Sequence, residues 1–515
     1  MSRLLGIDLG TTGVKTIVVE AEDARLAGSC TVEYPLLTPR PGWTEQEPEA
    51  WWSATVESLR GALAAAGGDA SDIVGIGLSG QMHGSVFLDA GGRVIRPAIL
   101  WNDQRTAEQC AWITRAGGRK LIAEEIRNPI LTGFQAPKII WLRDNEPANF
   151  DRVRHVLLPK DFLRLRLTGE YATEVSDASG TALLNVPARD WSTEFIDRLG
   201  LPAAWFPKVH ESPTVTGQLT AEVAELTGLV AGTPVVGGAG DCAAGAVGTG
   251  IVEPGLLWAS TGTSGVIFAS AAEPATDPDL RTHTFCHAVP GAWHVMGVVL
   301  SAGGSLRWYR DTLAADERSV AELTGQDPYQ LITAAADRAP VGSEGLVFLP
   351  YLTGERTPHA DPSARGAFLG LSLRHDKRHM ARAVLEGVAF ALRDSVEIMR
   401  AQGVPITEVR ASGGGARSAA WRQIQADIFG HPLATINIEE GAALGVALLA
   451  GVGAGLWASV PEACQAVIRT ATLTEPIEAN VQRYNEIYEQ LYAPVYPLLR
   501  DYFATGVALV ERQSD

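Results

Sequence analysis

The amino-acid sequence predicts an α/β protein made of two similar domains with a cleft between them. Its 515 residues are many for one hydrophobic core and suit two domains. Strand-like and helix-like segments alternate along the chain, which favours layered α/β architecture. One short pattern occurs twice, as Gly-Thr-Thr-Gly-Val at 10–14 and as Gly-Thr-Ser-Gly-Val at 262–266. The repeat indicates that the two halves of the chain share one architecture.

The composition limits the classes of protein to which this chain can belong. Hydrophobic residues make up 46% of the chain and charged residues 20%, which is typical of a well-packed soluble protein. The net charge of −17 argues against a nucleic-acid partner, because binding a phosphate backbone requires a basic surface. The five cysteines are scattered without a CxxC pair, which favours a reducing compartment. With no signal-peptide pattern at the N-terminus, we expect a cytoplasmic protein without a membrane partner.

Each copy of the repeated pattern lies between two strand-like runs and is therefore predicted to form the tip of a β-hairpin. The runs cover 3–8 and 15–19 around Gly10–Gly13 (tip 1), and 256–260 and 266–269 around Gly262–Gly265 (tip 2). Glycines let the backbone approach an anion, while successive N–H groups and small hydroxyls can donate to it. The candidate phosphate-binding residues are Gly10, Thr11, Thr12, Gly13, Gly262, Thr263 and Ser264. Two such hairpins favour a nucleotide held in the cleft.

The remaining elements follow from local patterns. The predicted further strands are 73–78, 86–88, 234–238 and 409–411, and the predicted helices are 51–66, one after Asp241 and one from Ser418. Residues 441–460 lack charge, but alanine and glycine predominate, so we expect a buried small-residue helix rather than a membrane span. Tyr484, Tyr488 and Tyr492 recur at helical spacing and predict a helix packed on the body. Pro494 and Pro497 should break or kink it. These patterns predict domains at 1–252 and 253–480 and a helical segment at 481–515.

Asp8 ends the first predicted strand, directly before tip 1. A carboxylate there could hold Mg²⁺ beside nucleotide phosphates. The alternative is an aspartate that accepts N–H groups within its own turn. Because the tip is repeated at 262–265, we favour the metal role.

Asp241 follows a glycine-rich run and precedes a small-residue segment. One interpretation is the N-cap of the following helix, a position where aspartate is favoured. The other is a general base that takes a proton from a hydroxyl attacking a γ-phosphoryl group. The residue pattern alone leaves both open and favours the cap.

Two further motifs complete the candidate site. Met82 and His83 follow the strand 73–78, at the end where α/β sheets place ligands, and could contact a sugar; a structural histidine is the simpler interpretation. Gly413, Gly414 and Gly415 form a strand–glycine–helix turn against which an adenine ring could lie. The motif is neither a Rossmann fingerprint nor a P-loop. His283, Cys286 and His287 resemble metal-ligand spacing, but no second pair with zinc-site spacing follows, so we interpret them as a packed strand or loop.

Together these motifs resemble the FGGY carbohydrate kinases of the actin/hexokinase-like superfamily. Residues 133–141 and 345–358 are similar to that family's diagnostic segments, and the matches extend over nearly the whole chain. Residues 81–84, 100–103 and 157–165 most resemble the xylulokinases within it. The resemblance implies two ribonuclease H-like domains, an N-terminal one that binds sugar and carries the base, and a C-terminal one that binds nucleotide.

The resemblance also implies roles for the candidate residues. Asp241 would be the base acting on D-xylulose, Asp8 would organise Mg²⁺, and Met82 and His83 would contact the sugar. The glycines of tip 2 and of 413–415 would hold the phosphates and adenosine of ATP. Cys242 departs from the Asn or Gln usual in relatives, which leaves the exact sugar open.

Two alternatives remain at this point. One is a kinase of the same family that acts on ribulose, a pentitol or gluconate. The other is an actin-like ATPase or sugar sensor that does not phosphorylate a sugar. The sequence leaves the oligomeric state open, with a homodimer among the options.

Overall fold

The computed structural model describes residues 2–511. Residue 1 of the predicted N-terminal domain and residues 512–515 of the predicted C-terminal helical segment lie outside the described residues. The strands of the first half are β1 (Arg3–Leu9), β2 (Gly13–Glu20), β3 (Leu26–Glu33), β4 (Glu45–Gln46), β5 (Ile73–Gly80), β6 (Val86–Leu88), β7 (Ala98–Ile99), β8 (His155–Leu157), β9 (Ala172–Glu174), β10 (Leu184–Asn185), β11 (Asp190–Trp191), β12 (Lys208–His210), β13 (Val215–Gln218), β14 (Pro234–Val236) and β15 (Ala239–Gly240). Those of the second half are β16 (Gly255–Thr261), β17 (Gly265–Ala271), β18 (His283–Cys286), β19 (Trp293–Val299), β20 (Val347–Leu349), β21 (Ala367–Leu369), β22 (Ile406–Ser412), β23 (Leu433–Ile436) and β24 (Thr470–Thr474).

Helices cover the sheets and fill the connections between strands. In the first half they are α1 (Pro48–Ala66), α2 (Ala107–Gly117), α3 (Arg119–Leu121), α4 (Gln135–Asn145), α5 (Pro147–Phe150), α6 (Pro159–Thr168), α7 (Val175–Ala178), α8 (Thr193–Arg198), α9 (Ala221–Thr227) and α10 (Asp241–Gly248). In the second half they are α11 (Gly303–Leu313), α12 (Ala315–Thr324), α13 (Pro328–Ala336), α14 (Lys377–Ala401), α15 (Ala419–Phe429), α16 (Gly441–Gly453), α17 (Val460–Val467), α18 (Glu478–Ile487) and α19 (Val495–Glu511).

The two halves contain sheets of equivalent topology. In sheet 1 the order is β13-β14-β5-β1-β2-β3, with β15 also pairing with β5. In sheet 2 the order is β18-β19-β17-β16-β22-β23-β24. The antiparallel meander β1-β2-β3 corresponds to β16-β17-β19, and parallel β5 and β14 correspond to β22 and β23. The predicted similarity of the two halves is therefore confirmed.

Most predicted elements form close to their expected positions. Tip 1 joins β1 to β2 and tip 2 joins β16 to β17, so both are hairpin tips. Ser418 caps α15 by accepting the N–H of Trp421. The tyrosine stripe is buried as predicted at Tyr484 and Tyr492, although a π-helical turn interrupts it at Tyr488–Tyr492. The helical run that carries the tyrosines ends at Tyr492, directly before a turn that contains Pro494, as predicted. Pro497 breaks no helix, because it lies in the first turn of α19, where a missing N–H is tolerated.

The small-residue helix α16 joins the two halves. It is buried from Ala443 to Gly451, and within residues 2–511 no helix has the length and apolar character needed to cross a bilayer. A Cβ added at Gly6 of β1 or at Gly77 of β5 would lie 2.0 Å from a carbonyl oxygen of α16. Glycine at these positions therefore allows a helix of the second half to lie directly on sheet 1.

Helices α10 and α16 occupy equivalent positions after β14 and β23, and they cross at very short range. A Cβ added at Gly445 would lie 1.9 Å from the carbonyl oxygen of Ala244, and one at Gly248 would lie 2.0 Å from that of Gly441. On the other side of α10, Gly245 lies against the indole of Trp258 in β16. The crossing thus fixes α10 relative to both sheets.

Gly445→Ala should lower the free energy of unfolding by about 1–3 kcal/mol, because the new methyl group has no space at the helix crossing. Gly506→Ala is the matched control, since it lies in helix α19 and an added Cβ there meets nothing within 4 Å. That control should be neutral or stabilising by up to about 1 kcal/mol, given the higher helix propensity of alanine. Urea denaturation measures both. If the two variants had equal free energies of unfolding, α10 and α16 would be able to move apart at this crossing without loss of stability.

Candidate active site

The ends of three parallel strands bring the two predicted carboxylates to one edge of sheet 1. In register, Asp8 of β1 pairs with Ser79 of β5, which in turn pairs with Ala239 of β15. Asp241 follows β15 directly as the first residue of α10. Because the carboxyl ends of parallel strands share one edge, Asp8 and Asp241 are neighbours, as a ligand site in an α/β sheet requires.

Asp8 is bound from a neighbouring strand rather than from its own turn. The Ser79 hydroxyl donates to its Oδ1 at 2.5 Å. Burial raises the pKa of Asp8, while the Ser79 hydrogen bond and the Lys15 ammonium oppose the rise. Lys15 is itself ion-paired to Glu440 at 2.6 Å, just before α16. Asp8 is thus a half-buried carboxylate whose ionised form would be stabilised by an added cation.

Asp241 does not cap α10, because Gly240 occupies the N-cap. The carboxylate instead accepts the N–H of Cys242 at 2.7 Å. Burial, followed by the negative charge of Asp8, raises the pKa of Asp241 to about 6. A carboxyl group with a pKa in this range can take up a proton near neutral pH. The geometry therefore favours the general-base interpretation over the cap.

A buried charge network holds the start of α10 in place. The Ser176 hydroxyl accepts the N–H of Gly240 at 3.1 Å, and Glu174 accepts the N–H groups of Ser176 and Asp177 at 2.7 and 2.8 Å. Lys160 binds Asp161 at 2.8 Å and lies 3.4 Å from both Glu174 and Asp177. The sequence analysis did not assign this network. The sequence feature that could have indicated it is a pair of adjacent charged residues, Lys160 and Asp161, inside an otherwise apolar run.

Met82 packs next to Asp241, and His83 shares its turn. A Cβ added at Gly240 would lie 2.9 Å from Cγ of Met82, so that side chain packs against the residue before Asp241. His83 Nδ1 lies 2.7 Å from the carbonyl oxygen of Gly180, which can only accept, so Nδ1 carries the hydrogen. Burial lowers the pKa of His83 to about 3. The imidazole is therefore neutral, and its Nε2 would accept a hydroxyl hydrogen.

Both tips are held by hydrogen bonds from outside the hairpin. In tip 1 the carbonyl oxygen of Thr11 accepts from Gln46 at 2.7 Å, and its hydroxyl accepts from the Trp101 indole at 3.0 Å. In tip 2 the carbonyl oxygens of Gly262 and Thr263 accept N–H groups from the start of α11 at 2.8–3.0 Å. The tips are therefore rigidly placed at the ends of their sheets.

A cavity of about 760 Å³ opens beside tip 2. Of the predicted residues, Gly262, Thr263, Gly414 and Gly415 line it. Gly413 and Ser264 do not, and the cavity does not extend to tip 1. Gly413 instead adopts φ 78° and packs against Thr261, which explains the glycine there without a ligand contact. The volume suits a nucleoside-sized ligand.

The sequence analysis missed the far wall of this cavity. It is formed by α11 and α13, and its residues include Gly303, Leu306, Arg307, Tyr329, Gln330, Thr333 and Asp337. Gly303 and Gly304, between a strand and a helix, could have indicated the α11 part of this wall. They form the same kind of turn that was recognised at 413–415. No local pattern marked α13, because its contribution depends on how the helices pack.

Comparison with known proteins identifies the family. The model of the N-terminal domain of the FGGY family of carbohydrate kinases matches residues 3–248, and that of the C-terminal domain matches 257–454. The chain belongs to this family. The resemblance inferred from the sequence is confirmed, and with it the class of carbohydrate kinase. The bounds of the three predicted domains remain predictions.

Relatives of this FGGY chain include characterised kinases of similar length. It is 39% identical over 501 residues to the xylulose kinase of Bacillus subtilis (strain 168), covering 97% of this chain and 98% of that protein. It is 41% identical over 505 residues to the xylulose kinase of Escherichia coli (strain K12), covering 96% and 99%. The crystal structure of xylulose kinase from Rhodospirillum rubrum matches with a TM-score of 0.89 at 31% identity, covering 98% of this chain and 100% of that chain. These neighbours confirm the fold class of two actin/hexokinase-like domains.

The pH dependence of kcat/KM should report the Asp241 carboxyl group. A general base acts when deprotonated, so kcat/KM should be constant above a pKa of about 6 and fall about tenfold per pH unit below it. In Asp8→Asn the negative charge next to Asp241 is absent, so the pKa of Asp241 should fall. The acid limb of the pH–rate profile, measured on the remaining activity, should then move to lower pH. A pH–rate series on both proteins measures this. A wild-type profile that stays flat to pH 5 would contradict the assignment.

Proposed function

We propose that this protein transfers the γ-phosphoryl group of ATP to the terminal hydroxyl of D-xylulose, giving D-xylulose 5-phosphate and ADP. The observation that carries the proposal is the Asp241 carboxylate, with a pKa of about 6, facing Asp8 beside the Met82–His83 turn. The choice of sugar is supported by xylulose kinases about 40% identical over nearly the whole chain.

In the proposed reaction, Asp241 accepts the proton of the O5 hydroxyl as that oxygen attacks the γ-phosphorus. The O5–H bond breaks and an O5–P bond forms, while the bond between the γ-phosphorus and the β–γ bridging oxygen breaks and releases ADP. Phosphoryl transfer depends mainly on alignment and charge neutralisation, with modest proton chemistry. The rigid crossing of α10 and α16 would supply the alignment of the base.

Mg²⁺ fits the donors at this edge of the sheet. Asp8 and Asp241 are half-buried carboxylates whose repulsion contributes to the raised pKa of Asp241, and a cation would relieve it. Magnesium is commonly bound by one or two carboxylates, water and substrate phosphates, so Asp8 suffices as the protein ligand. When bound, the ion would neutralise phosphate charge.

The second half of the chain would bind the nucleotide. Tip 2 and Gly414–Gly415 line the 760 Å³ cavity, where the nucleoside would lie with its phosphates directed to tip 2. Tip 1, next to Asp8, would bind the terminal phosphates from the other side. We also propose a cytoplasmic enzyme whose partners are the sugar and ATP rather than nucleic acid or membrane. A homodimer remains an open part of this proposal.

Asp241→Asn should reduce turnover by about 10²- to 10⁴-fold, because the substitution removes the proton acceptor and keeps the shape of the side chain. ATP affinity should stay within a few fold, since the nucleotide cavity is built from other residues. Asp501→Asn, an exposed carboxylate on α19, is the control and should keep full activity. Steady-state kinetics with a nucleotide-binding titration measures both quantities. Turnover that survives in Asp241→Asn would refute the base assignment.

An ADP-release assay across a sugar panel tests the substrate. D-xylulose should give the highest kcat/KM among D-xylulose, ribulose, a pentitol and gluconate. Another sugar ranking first would make the chain an FGGY kinase of different specificity. Equal ATP turnover with and without sugar would instead favour an ATPase that does not phosphorylate sugars.

A further inference from the structure

Arg307 lies on helix α11, one turn after the residues that hold tip 2. The N–H of Gly303 donates to the carbonyl oxygen of Gly262 at 2.8 Å, and the N–H of Gly304 donates to that of Thr263 at 3.0 Å. Side chains four residues apart in a helix share one face, and each is tilted toward the N-terminal end. Arg307 comes four residues after Gly303, so its side chain is directed back toward tip 2.

A contact and a cavity both place the Arg307 guanidinium at tip 2. Its Nη2 lies 3.5 Å from the hydroxyl oxygen of Thr263. Arg307, Gly262 and Thr263 also line the same cavity of about 760 Å³, and all three are exposed to it. The cation therefore stands at the end of the cavity where the glycine and the hydroxyl of the tip are accessible.

The protein leaves the charge of Arg307 without a counterion. Within the part of the chain that the structure describes, the guanidinium forms no ion pair, and the Thr263 contact is its one hydrogen bond. At 3.5 Å that bond is long for an N–H donor. Arg310, on the same helix, is by contrast bound to Asp311 at 2.6 Å and to the Tyr329 hydroxyl at 2.8 Å. Arg307 thus keeps most of its five donors available for a ligand.

An anion bound beside tip 2 would depend on this side chain. The N–H groups of residues 302–305, at the start of α11, all donate to carbonyl oxygens of the protein, so this end of the helix has none to offer an anion. The net charge of −17 also disfavours a polyphosphate unless a cation is placed locally. A guanidinium suits that role, because its planar fork matches two phosphate oxygens.

We propose that Arg307 binds the α- and β-phosphates of the nucleotide, which ATP and ADP share. This inference rests on the proposed function, which puts the nucleoside in the cavity beside tip 2. That cavity contains Arg307 but does not extend to tip 1, next to Asp8, where the γ-phosphoryl group would be transferred. Arg307 therefore holds the ADP part of the nucleotide, before and after the transfer.

The test compares the binding of ATP, ADP and adenosine by isothermal titration calorimetry. In Arg307→Met the dissociation constants for ATP and ADP should both rise about 10-fold or more, as expected for lost hydrogen bonds between charged groups, and that for adenosine should stay within about 2-fold. Arg307→Lys keeps the charge without the fork and should restore part of the loss. Arg318→Met is the matched control and should resemble wild type, because Arg318 is exposed on α12 and, among the described residues, donates only to the carbonyl oxygen of Asp311.

Two further measurements distinguish Arg307 from a general contribution of positive charge. Arg417 also lines the cavity but, within residues 2–511, makes no hydrogen bond to tip 2, so Arg417→Met should weaken ADP binding less than Arg307→Met does. Salt screens the attraction between charges, so ADP binding should weaken more steeply with ionic strength in wild type than in Arg307→Met.

Unchanged ADP affinity in Arg307→Met, an equal loss for ADP and adenosine, or a larger ADP loss in Arg417→Met would overturn the inference. Wild-type protein that binds no adenine nucleotide would overturn both the inference and the proposed function. Wild-type protein that binds ADP through Arg307 but does not phosphorylate D-xylulose would overturn the proposed function alone.

Discussion

The close crossing of α10 and α16 is the contact on which the geometry of this kinase depends. Each helix follows an equivalent strand of its own half, and glycine at Gly445 and Gly248 lets the two backbones touch. Because α16 also lies directly on β1 and β5, the crossing fixes sheet 1 relative to the second half of the chain. Asp241 is the first residue of α10, so the same contact determines where its carboxylate lies. Small side chains make this precise placement of α10 possible, because they allow the backbones of the two helices to come into direct contact.

Around this crossing, electrostatic and packing effects act on the same groups. Two half-buried carboxylates that are neighbours at one sheet edge do not ionise independently, and the negative charge of Asp8 helps to raise the pKa of Asp241 toward neutrality. The network of Lys160, Glu174 and Ser176 keeps the β15–α10 junction in place at the residues next to Asp241.

Sequence reasoning succeeded where function depends on local backbone chemistry. The two hairpin tips, the glycine turn before α15 and the small-residue helix α16 were predictable, because glycine and capping residues mark such features within a few positions. The role of Asp241 was ambiguous for the same reason: a cap and a base share one local pattern, and only the structure shows Gly240 at the N-cap. The α13 wall of the cavity beside tip 2 and the buried partners of Lys160 could not be predicted, since their members lie far apart in the chain.

The sequence by itself determined the class of fold, the duplicated hairpins and the family, because periodicity, glycine placement and motif spacing are written along the chain. Only the tertiary structure decided which of these residues meet. It brings Asp8 and Asp241 to one sheet edge and leaves Gly413 as a support rather than a lining residue. The physical reason is that burial, pKa and pairing depend on distances in space, which strand register and helix packing set and which no local sequence pattern contains.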